Sequence, residues 1–115
     1  MKLTGSKTER EFRERLILSQ SSLFHPENKR VLDVLKGAFP NLNTAFPIGY
    51  TPEQDEETYV FLINADQIVV ITLDRFDFEK QPKIDQITLK KYKCGLSKIF
   101  QIKLMVAIDL AMNGF

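Results

Sequence analysis

One imidazole and one thiol are the residues from which nucleophilic catalysis would have to be built. His25 and Cys94 are the single histidine and the single cysteine of the chain. A catalytic thiol needs a base within hydrogen-bond reach, and a third group must orient that base. His25 instead precedes Pro26 at a predicted helix start, and Cys94 precedes Gly95 at a predicted turn, where a lone thiol is usually inert. The sequence predicts no catalytic pair, and we expect the protein not to be an enzyme.

Four carboxylates in the middle of the chain have the chemistry of a hard-cation site. Asp66, Asp74, Asp77 and Glu79 would supply the oxygen ligands that Mg²⁺ or Ca²⁺ prefers. Their spacing matches no calcium-binding loop, and no glycine among them provides its sharp turn. The five glycines of the chain are scattered singly, which argues against a phosphate-binding loop. We therefore expect no metal ion and no cofactor.

The acidic residues cluster between two basic flanks. Residues 41–81 contain eight acidic and two basic residues, and the segments on either side are basic. Such patterns usually pair within the folded chain. Two acidic stretches also form a local negative surface that could steer a basic protein partner. The candidate interaction surface consists of Glu53, Asp55, Glu56, Glu57, Asp74, Asp77 and Glu79.

An alternative surface for nucleic acid lies in the basic region 90–103. Its candidate residues are Lys90, Lys91, Tyr92, Lys93 and Lys98, a set of cations around one aromatic ring. Cations dominate the affinity for phosphate, and aromatic rings provide platforms for bases. Against this, the whole chain carries a net charge of only +1, contains no tryptophan and shows no nucleic-acid-binding motif. Nucleic acid is the less favoured partner.

The composition is that of a globular domain able to build its own core. The 115 residues are 43% hydrophobic and 27% charged, so we expect one domain over 1–115. A single cysteine excludes an internal disulfide. Residues 1–7 contain no apolar signal core, and the apolar run 99–112 is interrupted by charges and too short to span a membrane. We expect a cytoplasmic protein without membrane contact.

Three helices are predicted from caps and apolar spacing. Ser6 and Glu9 fit a capping box for a helix over about 8–20, and Thr8 and Glu11 offer a competing register. Pro26 is suited to the first turn of a second helix, whose apolar stripe runs from Val31 to Phe39. Ser97 and Asn113-Gly114 bracket a third helix over 98–112, which is apolar except for one polar stripe and is predicted to be buried.

Four strands are predicted between the second and third helices. They cover about 44–50, 58–63, 68–73 and 84–93, and Lys90 to Lys93 would protect the last one as an edge. This order predicts an α+β fold, with two N-terminal helices, a four-stranded antiparallel meander sheet and a buried C-terminal helix packed on one face. We predict a single core shared by nine residues: Leu32, Leu35, Phe61, Val69, Ile71, Ile87, Ile102, Val106 and Leu110.

The segment from Tyr59 to Ile102 resembles bacterial PH-like domains. The resemblance rests on an apolar hairpin, the run Lys83-Ile84-Asp85-Gln86-Ile87-Thr88, and a basic stretch followed by Gly95-Leu96. It covers less than half of the chain. It implies a PH-like binding domain in which 98–112 is a further strand and Asn113-Gly114 a hairpin turn.

By elimination, the sequence favours a small protein-interaction module with a regulatory or accessory role. The acidic stretches provide one surface for a partner. The apolar segment 99–112 also exceeds what one four-stranded sheet covers, which would leave a patch for a second copy of the chain. We expect the partner to be another protein, or the chain itself as a homodimer.

Overall fold

The computed structural model describes residues 5–42 and 44–113. These residues form the helices α1 (Lys7–Ser22) and α2 (Lys29–Ala38), with a short 3-10 helix (Pro26–Asn28) between them. The strands β1 (Ala45–Pro52), β2 (Glu56–Ile63), β3 (Gln67–Asp74) and β4 (Lys83–Thr88) follow, and then the helices α3 (Leu89–Cys94) and α4 (Lys98–Asn113). The α+β fold class is confirmed.

The four strands form one antiparallel sheet in the order β1-β2-β3-β4. Each strand pairs with its neighbour in sequence, as the turn residues between them predict. The β1–β2 register shifts at Ile48, because Pro47 pairs with Phe61 while Gly49 pairs with Val60. Ile48 is therefore the bulged residue of the edge strand β1, and bulges of this kind bend a strand and redirect its side chains.

Helices cover both faces of the sheet, so the predicted single core is wrong. One core, here the α2 core, lies between α2 and one face and contains Leu32, Leu35, Phe61, Val69 and Ile71. The other, the α4 core, lies between α1, α4 and the opposite face. It contains Val106 and Leu110, and Ile87 and Ile102 pack against it. Strands apolar at nearly every position are typical of a sheet covered on both sides, and β2 and β3 have this pattern.

The first helix and the last helix begin as their caps predict, and they are joined by an ion pair. The Ser6 hydroxyl accepts the Glu9 N–H, and the Glu9 carboxylate accepts the Ser6 N–H, which completes the capping box. In α4 the Phe100 N–H donates to the Ser97 hydroxyl. The Arg13 guanidinium binds the Asp109 carboxylate at 2.8 Å. Because 98–113 is helical, the PH-like interpretation of this segment is wrong.

The helix α4 is buried in its middle and open at both ends. Leu104, Val106, Ala107 and Leu110 are buried, whereas Ile99, Phe100 and Met112 are more than half exposed. The predicted burial of this helix is thus confirmed only for its central turns. The glycine predicted to end it, Gly114, lies outside the described residues. Among those residues, no helix combines the length and the hydropathy needed to cross a membrane.

The predicted extension of the fourth strand to residue 93 is wrong. The strand ends at Thr88, whose hydroxyl accepts the Lys91 N–H and caps α3. Leu89 and Tyr92 then pack against the α4 core from positions three apart, which is helical spacing. The lysines of this segment lie on a helix and do not form a strand edge.

Candidate functional site

The structure gathers the predicted acidic residues at one end of the sheet. The β1–β2 turn carries Glu53 and Asp55, and the loop after β3 lies beside it because Glu56 pairs with Asp74 in the sheet. Arg75 ties the two segments together: its N–H donates to the Asp55 carbonyl at 2.9 Å, and its guanidinium donates to the Glu53 carbonyl at 2.7 Å. Residues distant in sequence therefore share one surface.

Several of these carboxylates have structural partners. The Asp74 carboxylate accepts the N–H groups of Phe76 and Asp77 at 2.9 and 2.8 Å. The Asp77 N–H lowers the pKa of Asp74 most, followed by the Phe76 N–H. Lys80 lies 3.7 Å from the Asp74 carboxylate, and Lys83 lies 3.9 Å from that of Glu56. The expected pairing of acidic residues with basic ones is present at both positions, locally for Asp74 and between strands for Glu56. The exposed carboxylates are those of Glu53, Asp55, Asp77 and Glu79.

Two exposed phenylalanines project from the loop between β3 and β4. Phe76 is 76% exposed and Phe78 is 71% exposed. The Arg30 guanidinium lies 4.3 Å from the centre of the Phe78 ring and also donates to the carbonyls of Asp74 and Asp77. Sequence reasoning did not place these aromatic residues in a site. Their alternation with Asp74, Asp77 and Glu79 was the available signal.

A groove runs past Tyr59 on the face covered by α2. A cavity of about 660 Å³ lies there, with Arg30, Arg75, Glu57 and Phe78 among its lining residues. Tyr50 donates its hydroxyl to the Glu57 carboxylate at 2.9 Å, and its ring centre lies 4.9 Å from that of Tyr59. Burial and then the Glu57 charge raise the pKa of Tyr59. These groups form a polar wall of two phenols and one carboxylate.

A smaller cavity of about 240 Å³ adjoins this groove at the β1 edge. It shares Asn28, Tyr50 and Tyr59 with neighbouring cavities of the groove. Lys103 from α4 lines it, and the Lys103 ammonium donates to the carbonyl of the bulged Ile48 at 2.9 Å. Burial, and then the charge of Arg15, lowers the pKa of Lys103. Lys103 does not share the helix face of Lys98, Gln101 and Asp109, so a cation on the apolar side of α4 was the available signal, and sequence reasoning missed it.

The residues of the alternative basic surface differ in their burial. Lys90, Lys91, Lys93 and Lys98 are exposed on α3 and at the start of α4. Tyr92 is partly buried against the α4 core, and burial raises the pKa of its hydroxyl. The aromatic ring that was predicted to stack on bases is therefore used in packing. Phe100, which is 51% exposed, is the nearby aromatic side chain with an open face.

The remaining chemical candidates lie apart from these cavities. His25 is exposed before the 3-10 helix, and Cys94 is exposed at the end of α3. In the part of the chain that the structure describes, no three His, Cys, Asp or Glu side chains are grouped so that they could hold a metal ion. Asp66 lies in the β2–β3 turn, separate from the Asp74 loop at the opposite end of β3.

Comparisons were made with models of known protein families, with curated proteins and with solved structures, and none of them found a match.

Proposed function

We propose that this protein is a non-enzymatic, cytoplasmic binding module for a basic protein surface. It would act through an acidic–aromatic surface, which consists of Glu53, Asp55, Phe76, Asp77, Phe78 and Glu79. The observation that carries the proposal is the exposure of Phe76 and Phe78 on one hydrogen-bonded loop, surrounded by these carboxylates. Aromatic side chains are enriched in protein interfaces and supply much of their binding energy.

The loop presents its two rings in a fixed arrangement. Asp74 accepts two backbone N–H groups of the loop, and Asp77 accepts the Glu79 N–H at 3.1 Å. Arg30 binds two loop carbonyls and lies over Phe78. Because these contacts already order the loop, binding would cost less conformational entropy than it would for a free loop.

The charges around the rings indicate the chemistry of the partner. The exposed carboxylates of Glu53, Asp55, Asp77 and Glu79 border the two phenylalanines. A partner with an apolar pocket rimmed by lysine or arginine would match this pattern, and the opposite charges would speed association. A symmetric homodimer through the same surface would instead place carboxylates against carboxylates. A foreign partner therefore fits this surface better than a second copy does.

Nucleic acid remains the competing partner, because Lys90, Lys91, Lys93 and Lys98 are all exposed. The acidic end of the sheet would repel a phosphate backbone, so such binding would have to use the α3 end alone. Phosphate-dominated binding would also fall steeply as salt rises.

The test compares three immobilised proteins in an extract of the native host. They are the wild type, the loop variant Phe76→Ser/Phe78→Ser, and the control Leu18→Ser/Phe24→Ser, which removes two equally exposed apolar side chains elsewhere. We expect a protein that the wild type and the control retain and the loop variant loses. The purified partner should then bind the wild type at least tenfold more tightly than the loop variant in calorimetry.

Two results would overturn the proposal. One is that the loop variant retains the same proteins as the wild type, or that the wild type retains none. The other is retention of nucleic acid at physiological salt that Lys90→Gln/Lys91→Gln/Lys93→Gln abolishes, which would establish the competing function.

A further inference from the structure

A partly buried cation, Lys103, lies at the edge of the sheet. The Lys103 ammonium donates to the Ile48 carbonyl, and no carboxylate of the described residues lies within ion-pair distance of it. The positive charge of Arg15 lowers the pKa of Lys103 in addition to burial. Burying a charge is costly unless it is paired, so this position favours an anion.

Among the described residues that line it, the cavity next to Lys103 has hydrogen-bond donors and no acidic group. Its polar lining residues are Ser19, Ser22, Asn28, Tyr50, Tyr59 and Lys103. The Ser22 hydroxyl donates to the Ser19 carbonyl, and the Asn28 amide donates to the Ser22 carbonyl. The Ser19 hydroxyl and the two remaining ammonium protons of Lys103 can therefore donate to a bound anion.

The rest of the cavity wall is apolar or aromatic. Leu23, Pro47, Ile48 and Phe61 lie on it, and Tyr59 connects it to the groove. At about 240 Å³ the cavity is smaller than the roughly 300–1,000 Å³ of drug-sized sites. A few convergent polar groups within an apolar wall are typical of sites for small organic molecules.

We infer that this cavity binds a small organic monocarboxylate, with the carboxylate on Lys103 and Ser19 and a compact apolar body against Pro47 and Tyr59. The neighbouring Glu57 carboxylate restricts the other end of the ligand. It lines the adjoining groove next to Tyr50 and Tyr59, where a second anionic group would be repelled. Ligands with one negative charge are therefore preferred over dicarboxylates. This site is separate from the acidic–aromatic surface, so a test of ligand binding here does not depend on the proposed protein partner.

Phenylacetate is the probe, because it joins a carboxylate to a compact aromatic body. Acetate lacks the body, and phenethylammonium reverses the charge on a similar body. In ¹⁵N–¹H spectra of the wild type, phenylacetate should shift the amides of Ser19, Gly49, Phe61 and Lys103 at concentrations at which the other two probes do not. Because this experiment needs no substitution, it maps the site whether or not a variant folds.

Lys103→Met removes the charge and keeps a flexible side chain of similar length. A charge-assisted hydrogen bond is lost, so phenylacetate should bind about tenfold to a hundredfold more weakly, and Lys103→Arg should restore part of the affinity. Lys98→Met is the matched control, since Lys98 is an exposed cation on the same helix. Equal binding by Lys103→Met and the wild type would overturn the proposal. Equal shifts with phenethylammonium, or phenylacetate shifts confined to residues outside the cavity, would overturn it as well.

Discussion

At the scale of single residues, Asp74 organises the end of the sheet. Its carboxylate accepts two backbone N–H groups, and its carbonyl accepts a hydrogen bond from the Arg30 guanidinium. The same residue thus shapes the aromatic loop and anchors it to α2. A neutral or protonated side chain at this position would hold the loop less firmly, because hydrogen bonds to ionised acceptors are stronger.

We predict that Asp74 makes stability depend on acid pH. The hydrogen bonds lower its pKa in the folded chain below the unfolded value of about 3.9. Its stabilising effect is therefore fully present above the unfolded pKa and is lost as the pH falls through the folded pKa. In urea unfolding, the difference between the wild type and Asp74→Asn should be largest near pH 7 and shrink below about pH 4. The exposed Asp85→Asn is the control, and a pH-independent difference for Asp74→Asn would contradict the prediction.

At the scale of elements, the sequence predicted helices and strands correctly where a pattern has one physical cause. The caps of α1 and α4 and the apolar stripe of α2 correctly predicted helices, because hydrogen-bonding side chains and spacing determine them locally. The prediction of a strand for the lysine segment after Thr88 was wrong, because the sequence there fits two patterns. Ile87 and Leu89 alternate as in a strand, whereas Leu89 and Tyr92 have helical spacing. The Thr88 cap decided between these two patterns.

The separation of the two cores has a measurable consequence. Ile71 belongs to the α2 core and Val106 to the α4 core, on opposite faces of the sheet. Ile71→Val should cost about 0.5–1.5 kcal/mol, and the cost of Val106→Ala should add to it within about 0.5 kcal/mol. Denaturant unfolding of the two single variants and the double variant checks this. A coupling energy clearly above that value would show that the two clusters act as one core.

The strand β4 is an open edge that two charged residues protect. Its residues are exposed except for partly buried Ile87, and it pairs on one side with β3. Lys83 and Asp85 lie on this edge, and charges there discourage pairing with a second chain. Lys83→Val/Asp85→Val should therefore associate as concentration rises, as measured by light scattering. Gln86→Val leaves the charges and the Thr88 cap in place and should associate less; equal association of the two variants would argue against a protective role.

At the scale of the whole molecule, the exposed apolar side chains of α4 are separated rather than continuous. Ile99 and Phe100 lie at one end of α4 and Met112 at the other, about 18 Å apart along a helix that rises 1.5 Å per residue. The sequence predicted a surplus of apolar surface on α4, but it could not show that the two helix ends would be separated by buried central turns. The sequence also could not show the acidic end of the sheet or the Lys103 cavity, because each brings together residues from elements distant in sequence.

We expect the isolated chain to remain a monomer under dilute conditions. A convincing dimer needs roughly 1,000 Å² or more of well-packed contact, and the separated ends of α4 do not offer one continuous patch. Light scattering should give the mass of one 13.3 kDa chain throughout a concentration series. A stable mass of twice this value would contradict the expectation and would make a second copy the first partner to consider.

The two-sided packing also sets an order of assembly during synthesis. Every buried residue of the α2 core has been made once Leu73 is in place, whereas the α4 core needs residues up to Leu110. The contact between Arg13 and Asp109 spans 96 positions, so α1 gains its contact with α4 only after Asp109 has been made. Until then α4 does not cover Phe46, Leu62 and Ile68. Apolar strands that are exposed during folding are prone to aggregation. In hydrogen exchange on ribosome-bound chains stalled once Leu73 has emerged, amides of α2 should be protected while those of α1 are not; equal protection of the two helices would mean that α1 does not depend on α4.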